Sequence, residues 1–468
     1  MNPEQDAGNL EFDAGLIRRF DGVGPRYTSY PTADHFDDRF NAETYMSWAQ
    51  RRNIGVKRRP LSLYFHLPFC DTLCFYCACN KVITKDKSKA VKYLEYLIKE
   101  LDMQAALFNS DDRVEQLHWG GGTPTFLGNE QMRALMSAIR DRFTLADDLQ
   151  GEYSLEIDPR RIDTETVVTL REIGFNRISL GVQDFDPTVQ KAVNRLQSEQ
   201  ETAAVIRTAR SAGFKSVSVD LIYGLPKQTV ITFNQTLKKI IGLDPDRIAV
   251  YNYAHLPNVF KPQRRIDAAE LPGADTKLDI LGLTIRRLTE AGYVYIGMDH
   301  FAKPDDELAV AQKHGRLHRN FQSYSTHADA DLIALGVSAI SKVGPTYSQN
   351  YRDLASYYQA LDDHRLPIMR GLQLSHDDLL RQYIINQLMC HFELFIEPVE
   401  IAFLIDFTSY FARELEALVE FSDAGLLTLG DRWFSITPKG RLLIRSICMV
   451  FDNYLRKDRD PVRYSHVI

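Results

Sequence analysis

The stretch LSLYFHLPFCDTLCFYCACN, Leu61 to Asn80, joins a seven-residue apolar run to a loop that carries four of the chain's six cysteines. The run has the length and composition of a buried strand. The loop crowds Cys70, Cys74, Cys77 and Cys79 into ten residues, and the remaining two, Cys390 and Cys448, are too few to pair them into a secreted disulfide framework. A metal is the better occupant. Structural zinc commonly draws on two CxxC pairs a dozen or more residues apart, and no second pair exists here. Spacings of three, two and one residues instead wrap one loop around something larger than a single ion, and thiolates are the usual ligands of iron–sulfur clusters. Zinc, or redox and structural thiols, remain alternatives on spacing alone. If only Cys70, Cys74 and Cys77 bind a four-iron cluster, one iron keeps an open position at which a substrate or cofactor can be activated.

Outward from this loop the chain keeps a βα rhythm. After LSLYFHL come VEQLHW (114–119), EYSLEI (152–157), RISLGVQ (177–183), SVSVDLIYG (216–224) and RIAVYNYAH (247–255), separated by helix-patterned stretches such as AVKYLEYLIKEL and ETAAVIRTARSAGF. Strands alternating with helices imply parallel pairing, because the crossover helix lets the next strand run the same way. Six such units fall short of the eight of a closed barrel. The fold class expected is α/β, an open, three-quarter (β/α)6 barrel rather than a doubly wound sheet. In such barrels chemistry sits on loops at the C-terminal strand ends, and the unusual residues fall there: the cysteine loop, GGGTP (120–124), EIDP (156–159), GVQDF (181–185), Asp220 just before YGLP, and YAHLP (253–257).

An N-terminal arm, residues 1–45, contains GPRYTSYPTA, too rich in Gly, Pro and Tyr for a helix. The catalytic barrel and its extension are expected over 46–372. From 373 the texture turns to long helical patterns, a hairpin turning at Gly430-Asp431 and a last helix, RLLIRSICMVFDNYL, so 373–468 reads as a mostly helical, winged-helix-like domain. The N-terminal stretch lacks the features of a signal peptide, and no segment has the length and apolarity of a membrane span. With crowded free thiols this points to a reduced, cytoplasmic protein. A net charge of −6 argues against nonspecific nucleic-acid binding as the main business.

Cys-x3-Cys-x2-Cys after the first strand of a partial barrel resembles the signature of the radical S-adenosylmethionine (SAM) superfamily, and GGGTP after strand two agrees with it. Over nearly its whole length the chain is similar to the oxygen-independent coproporphyrinogen III oxidase family within it. The residues that carry the likeness include RYTSYPTA, YFHLPFCDTLCFYCACN, HWGGGTPTFL, SLEIDPR, FNRISLGVQDFDPTVQKAVNR, VDLIYGLPKQT, NYAHLP, GMDHFAKPDDELA, LHRNFQSYST and GRLLIRSICMVFDNYLR. The resemblance implies that Cys70, Cys74 and Cys77 bind a [4Fe–4S] cluster whose fourth iron takes the amino and carboxylate groups of SAM. It implies cleavage of SAM to methionine and a 5′-deoxyadenosyl radical, with the protein supplying orientation and exclusion of water. Gly121, Gly122 and Thr123 would let SAM approach the main chain closely. Glu156 would hold its amino or ribose groups, and Tyr64 and Tyr76 would pack on adenine or the cluster. A second SAM is implied beside the first, near Gln183, Arg195, Asp220, Ala254 and Ile340. The plainer readings are a turn for the glycines, barrel core for the tyrosines and a surface salt bridge for Arg195.

The implied reaction is anaerobic oxidative decarboxylation of the ring A and B propionates of coproporphyrinogen III to vinyl groups, giving protoporphyrinogen IX in heme biosynthesis. Tyr64, His66 and Cys79 are the candidate catalytic groups. Arg26, Tyr27, His66, Lys81, His300, His318, Arg319 and Gln322 are candidates for meeting the substrate's four carboxylates. A low-potential electron donor such as flavodoxin, a monomeric state and no nucleic-acid partner complete the expectation. One alternative is a heme-binding chaperone from a sister branch, in which the residue two past the third cysteine is typically aromatic and the tyrosine-rich arm is missing. Cys79 and RYTSYPTA favour the oxidase. A metal-sensing regulator built on the winged-helix-like tail is a more distant alternative, and RLLIRSICMVFDNYLRK is too apolar to read as a recognition helix.

Overall fold

The computed structural model describes residues 10–52, 54, 59–328 and 330–457. The polar stretch before Leu10, on which the signal-peptide reading rests, lies outside the described residues. The six anticipated strands form: β1 (Leu61–Leu67), β2 (Arg113–Gly121), β3 (Glu152–Ile157), β4 (Arg177–Gln183), β5 (Ser216–Tyr223) and β6 (Arg247–Asn252). All pair in parallel in the order β6-β5-β4-β3-β2-β1. Intervening helices cover the outer face. Ser88–Ala105, for example, buries Ala90, Tyr93, Leu94, Leu97 and Leu101 at three- and four-residue spacing. Sandwiched in this way, β1 is buried along almost its whole length, as parallel strands are.

The sheet extends beyond those six strands. On the β6 side, β7 (Val294–Gly297) and β8 (His300–Ala302) add antiparallel pairs. On the β1 side the six βα units gain one further strand, as β11 (Asp331–Leu335) pairs with β1 in parallel. Its five residues follow the separate hairpin of β9 (His318–Asn320) and β10 (Ser323–Ser325), so no helical crossover announces it. Antiparallel β12 (Ile340–Val343), β13 (Thr346–Asn350) and β14 (Ile368–Gln373) finish that side. β7 and β14 end the sheet unpaired to each other. The barrel is therefore open, and the β9–β10 hairpin sends Gln322, Ser323 and Tyr324 into its lumen.

After β14 come helices His376–His391, Ile396–Phe403 and Ala412–Asp423 and a small sheet in the order β15 (Glu393–Phe395), β17 (Trp433–Ile436), β16 (Leu427–Leu429), where β16 and β17 form the anticipated hairpin. The expected single last helix is broken into Gly440–Leu443, Ile444–Met449 and Asn453–Lys457. Asp452 is the cause: its Oδ1 accepts from the N–H groups of Tyr454 and Leu455, starting a new helix, while its Oδ2 accepts from Tyr27 Oη at 2.9 Å. The arm is fastened on both sides. Arg445 donates to the carbonyls of Gly24 and Pro25, Gln382 to the carbonyl of Tyr30, and Arg26 pairs with Asp299 at 3.2 Å at the barrel mouth.

One buried carboxylate ties the β1 side together. Glu100, on helix Ser88–Ala105, accepts from Gly336 N–H at 2.7 Å, Asn350 Nδ2 at 2.7 Å and Tyr357 Oη at 2.6 Å. Burial pushes its carboxyl up to about 7, outweighing the three donors that favour its charge. The folded state thus holds a proton that an ordinary carboxyl near 4.5 releases. The corresponding stability is fully present below about pH 4.5 and is lost as the pH rises to about 7. Glu100→Gln is expected to flatten that decline, on the order of 3 kcal/mol, seen as a urea midpoint that no longer falls across this interval.

Candidate active site

Because β1 to β6 run in parallel, their C-terminal ends share one rim, and the cysteine loop leaves β1 there. The loop is clamped from several directions. Its first residues, Phe69–Cys70, pair with Val82–Ile83, and Thr84 N–H donates to the Cys70 carbonyl at 3.0 Å. Phe75 N–H donates to the Val193 carbonyl, Asn194 Nδ2 to that of Leu73 and Gln263 Nε2 to that of Tyr76. All six cysteines are free thiols.

The four loop thiols have different surroundings. Cys70 Sγ lies 3.5 Å from Thr123 Oγ1, and burial pushes its thiol up to about 11. Cys74 is buried beside two guanidiniums, with Arg195 Nη1 at 3.6 Å and Arg160 Nη2 at 3.8 Å. Both arginines pair with Asp158, at 3.4 Å and 2.6 Å. A hydrogen bond from the Cys79 thiol brings Cys77 down to about 6 against its burial, with Lys81 helping. Cys79 itself is exposed. Among the described residues no three His, Cys, Asp or Glu side chains converge on a single ion position. Three separated thiols on one clamped loop, backed by cations, fit a polynuclear iron–sulfur cluster better than one tetrahedral ion.

The GGGTP stretch packs against this loop because it lacks side chains. Gly121 has φ +108°, and a Cβ there would sit 2.4 Å from His66 Cε1; a Cβ at Gly122 would sit 2.6 Å from the carbonyl carbon of Pro68. Gly121 N–H donates to Glu156 Oε2 at 3.1 Å, and His118 Nε2 lies 3.6 Å from Glu156 Oε1. Burial raises the Glu156 carboxyl, but His118 and the Gly121 N–H outweigh it, so the group titrates below its ordinary range and is a carboxylate at neutral pH. Tyr64 stacks on His118 with ring centroids 5.8 Å apart. His66, depressed by burial and hence neutral, donates from Nε2 to the Asn80 carbonyl at 2.9 Å, which leaves Nδ1 to accept from Tyr64 Oη at 3.1 Å.

Toward β4 and β5, Asp220 accepts from Ser179 Oγ at 3.2 Å and is pushed up to about 7 by burial and by Glu156. Arg195 is buried, donates to the Gly181 carbonyl and leaves Nε without a partner, as Gln183 leaves Oε1. The reading of Arg195 as a surface salt bridge is therefore corrected: the left-handed turn at Asn194 drives it inward to the cysteine loop. Ala254 lies nearby, its carbonyl accepting from the same Gln263 that clamps the loop. Tyr76 packs with Val189, Val193 and Tyr253. Ile340 stands apart from these, on β12 beyond β1, in an apolar group with Phe36, Phe321 and Tyr347. Asp158, Arg160, His118 and Ser179 were not singled out from the sequence. Asp158 and His118 each sit in a quoted motif, EIDP and HWGGGTP, where a charged or ionisable residue at a strand end was the available signal.

The lumen beneath the rim holds a cavity of ≈ 150 Å³ lined by His118, Glu156, Asp220, Tyr251, His300 and Gln322 among others. Residues 64–240 match the Radical SAM superfamily and residues 374–443 the HemN C-terminal domain. Rim, loop and lumen thus define a radical SAM protein. Oxygen-independent coproporphyrinogen III oxidases of Pseudomonas aeruginosa and Escherichia coli are 52% and 48% identical, each over 98% of this chain and 99% of their own. The solved structure of coproporphyrinogen III oxidase (HemN) from Escherichia coli superposes with a TM-score of 0.91 at 47% identity, covering 95% of this chain and 100% of that one. The chain belongs to the oxygen-independent coproporphyrinogen III oxidase family.

Gly121→Ala is expected to displace the His66 ring, lower stability by about 1–3 kcal/mol and reduce iron–sulfur loading on reconstitution. Gly242→Ala, where a Cβ meets nothing within 4 Å, serves as the control for melting temperature and iron content.

Proposed function

We infer that this chain catalyses the anaerobic oxidative decarboxylation of the ring A and B propionates of coproporphyrinogen III, giving protoporphyrinogen IX for heme biosynthesis. The observation that carries this reading is one clamped loop bearing Cys70, Cys74 and Cys77 at the rim of a polar lumen, in a chain that matches coproporphyrinogen III oxidases over 95% or more of its length.

Cys70, Cys74 and Cys77 are the residues that would hold a [4Fe–4S] cluster. Tyr64, Tyr76, Gly121, Gly122, Thr123 and Glu156 would hold SAM, with Gln183, Arg195, Asp220 and Ala254 around a second molecule, to which the family resemblance also assigns Ile340. When bound, the cluster and SAM supply one-electron chemistry that yields a hydrogen-abstracting carbon radical. The chain's own work is electrostatic and geometric. Arg195 and Arg160, held by Asp158, offset thiolate charge at Cys74. Glu156, fixed by Gly121 N–H and His118, presents a carboxylate to an ammonium or a ribose hydroxyl. Asp220 can take or release a proton at its carboxyl near neutral pH, and Tyr64 with neutral His66 forms a fixed hydrogen-bond pair above the lumen. Cys79, whose thiol hydrogen-bonds to Cys77, would act on the cluster through Cys77 rather than as a ligand.

A monomeric, cytoplasmic enzyme supplied by a low-potential donor of the flavodoxin type fits this reading, and the free thiols support the reducing compartment. No described helix is long and apolar enough to cross a membrane.

The test is an anaerobic assay of the reconstituted protein with SAM, a reductant and coproporphyrinogen III, reading products by mass. Loss of two CO2 and four hydrogens with release of deoxyadenosine is expected. Stoichiometric, stable heme binding without turnover would instead assign the chain to the heme-carrying branch. Cys70→Ser, Cys74→Ser and Cys77→Ser are each expected to abolish the cluster's visible absorption and SAM cleavage, whereas Cys79→Ser keeps the absorption.

A further inference from the structure

The β9–β10 hairpin separates two cavities. Gln322, Ser323 and Tyr324 face the lumen, while Arg319, Asn320 and Phe321 line a second cavity of ≈ 30 Å³ closed on its other side by arm residues Tyr27 to Tyr30. Arg319 is 9% exposed, and among the described residues its Nε and Nη1 have no hydrogen-bond partner. Its guanidinium lies over an aromatic face, 4.8 Å above the Tyr324 ring. The neighbouring carboxylates are engaged elsewhere: Asp299 pairs with Arg26, and Asp452 is held by Tyr27 and two backbone N–H groups. A buried guanidinium without a counter-charge is costly, and a ligand carboxylate would relieve that cost. Lys342 also lines the cavity, but burial lowers its ammonium from the usual lysine range, and His318, pushed down to about 3 by burial, is neutral, so Arg319 is the group on which the proposal rests.

We propose that Arg319 is the anchor for one carboxylate of the substrate, and that this is a propionate the reaction leaves intact. The proposal rests on the coproporphyrinogen reading above and separates Arg319 from the other candidate residues. A cavity of ≈ 30 Å³ admits a group the size of a carboxylate and no macrocycle. The guanidinium fork meets a carboxylate with two parallel hydrogen bonds, which fixes orientation as well as adding affinity. A propionate that decarboxylates must give up its charge as CO2 leaves, and a charge-assisted clamp opposes that. Arg319 lines the cavity on the arm side of the hairpin, whereas Glu156 and Asp220 line the lumen. Arg319 is thus a binding residue that sets which rings reach the chemistry.

The probes are coproporphyrin III, a tetracarboxylate, and its tetramethyl ester, whose binding is followed by fluorescence in wild type, Arg319→Gln and Arg319→Lys. Wild type is expected to favour the free acid over the ester by tenfold or more. Arg319→Gln should lose at least tenfold for the free acid and little for the ester, and Arg319→Lys, which keeps charge but not the fork, should fall between. In turnover, KM for coproporphyrinogen III should rise more than kcat falls. Without ligand, Arg319→Gln should melt at or above wild type, since an unpaired buried charge is removed, so weakened binding is not failure to fold. An unchanged ratio of acid to ester affinity in Arg319→Gln overturns the site. If wild type shows the Arg319-dependent preference but does not decarboxylate the substrate, the carboxylate site stands and the proposed function falls.

Discussion

Parallel pairing from β6 across to β11 obliges every connection to travel back outside the sheet and every strand to deliver its C-terminal end to the same rim. The rest of the molecule depends on that constraint. It brings Arg195 within 4 Å of both Cys74 and Asp158, although the three are far apart along the chain. The helices that make the crossovers bury the outer face, so the inward face is free to be polar. Because the sheet does not close, the lumen stays accessible from the side that the hairpin and the arm then cover.

Buried charge divides into two kinds. Arg52, held by Asp112 at 2.5 Å and Asp331 at 2.6 Å, and Glu100, with three donors, are internally satisfied and bind elements together. Arg195, with an orphan Nε, and Arg319, with two orphan nitrogens, are incompletely satisfied and face the cysteine loop and the hairpin cavity. In a medium of low effective dielectric such omissions are costly.

The parallel core was legible in the sequence because each strand was a short apolar run bounded by a helix-patterned stretch, and the cysteine loop because thiols are scarce elsewhere. β11 was not, since periodicity alone does not distinguish a five-residue apolar run arriving after a hairpin from loop packing. The last helix read as continuous because its apolar spacing hides Asp452, whose role depends on Tyr27 hundreds of residues earlier. In the site, Cys70, Glu156 and Gly121 were found by motif, whereas Asp158 acts through Arg160 and the distant Arg195, and His118 through partners on neighbouring strands. Ile340 illustrates the converse: its sequence position carries no hint that β12 lies on the opposite flank from Gln183 and Asp220.

The arm over the mouth is fastened by the last helices, and 420 residues separate Arg445 from the Pro25 carbonyl it holds. During synthesis, then, the strap emerges early from the ribosome and its catches emerge last. The thiol loop, the glycine turn and the strands that frame them are all made before Arg445, Asp452 and Asn453 exist to pull the strap down. Birth order thus places the loop that carries Cys70, Cys74 and Cys77 well ahead of the residues that fasten the arm.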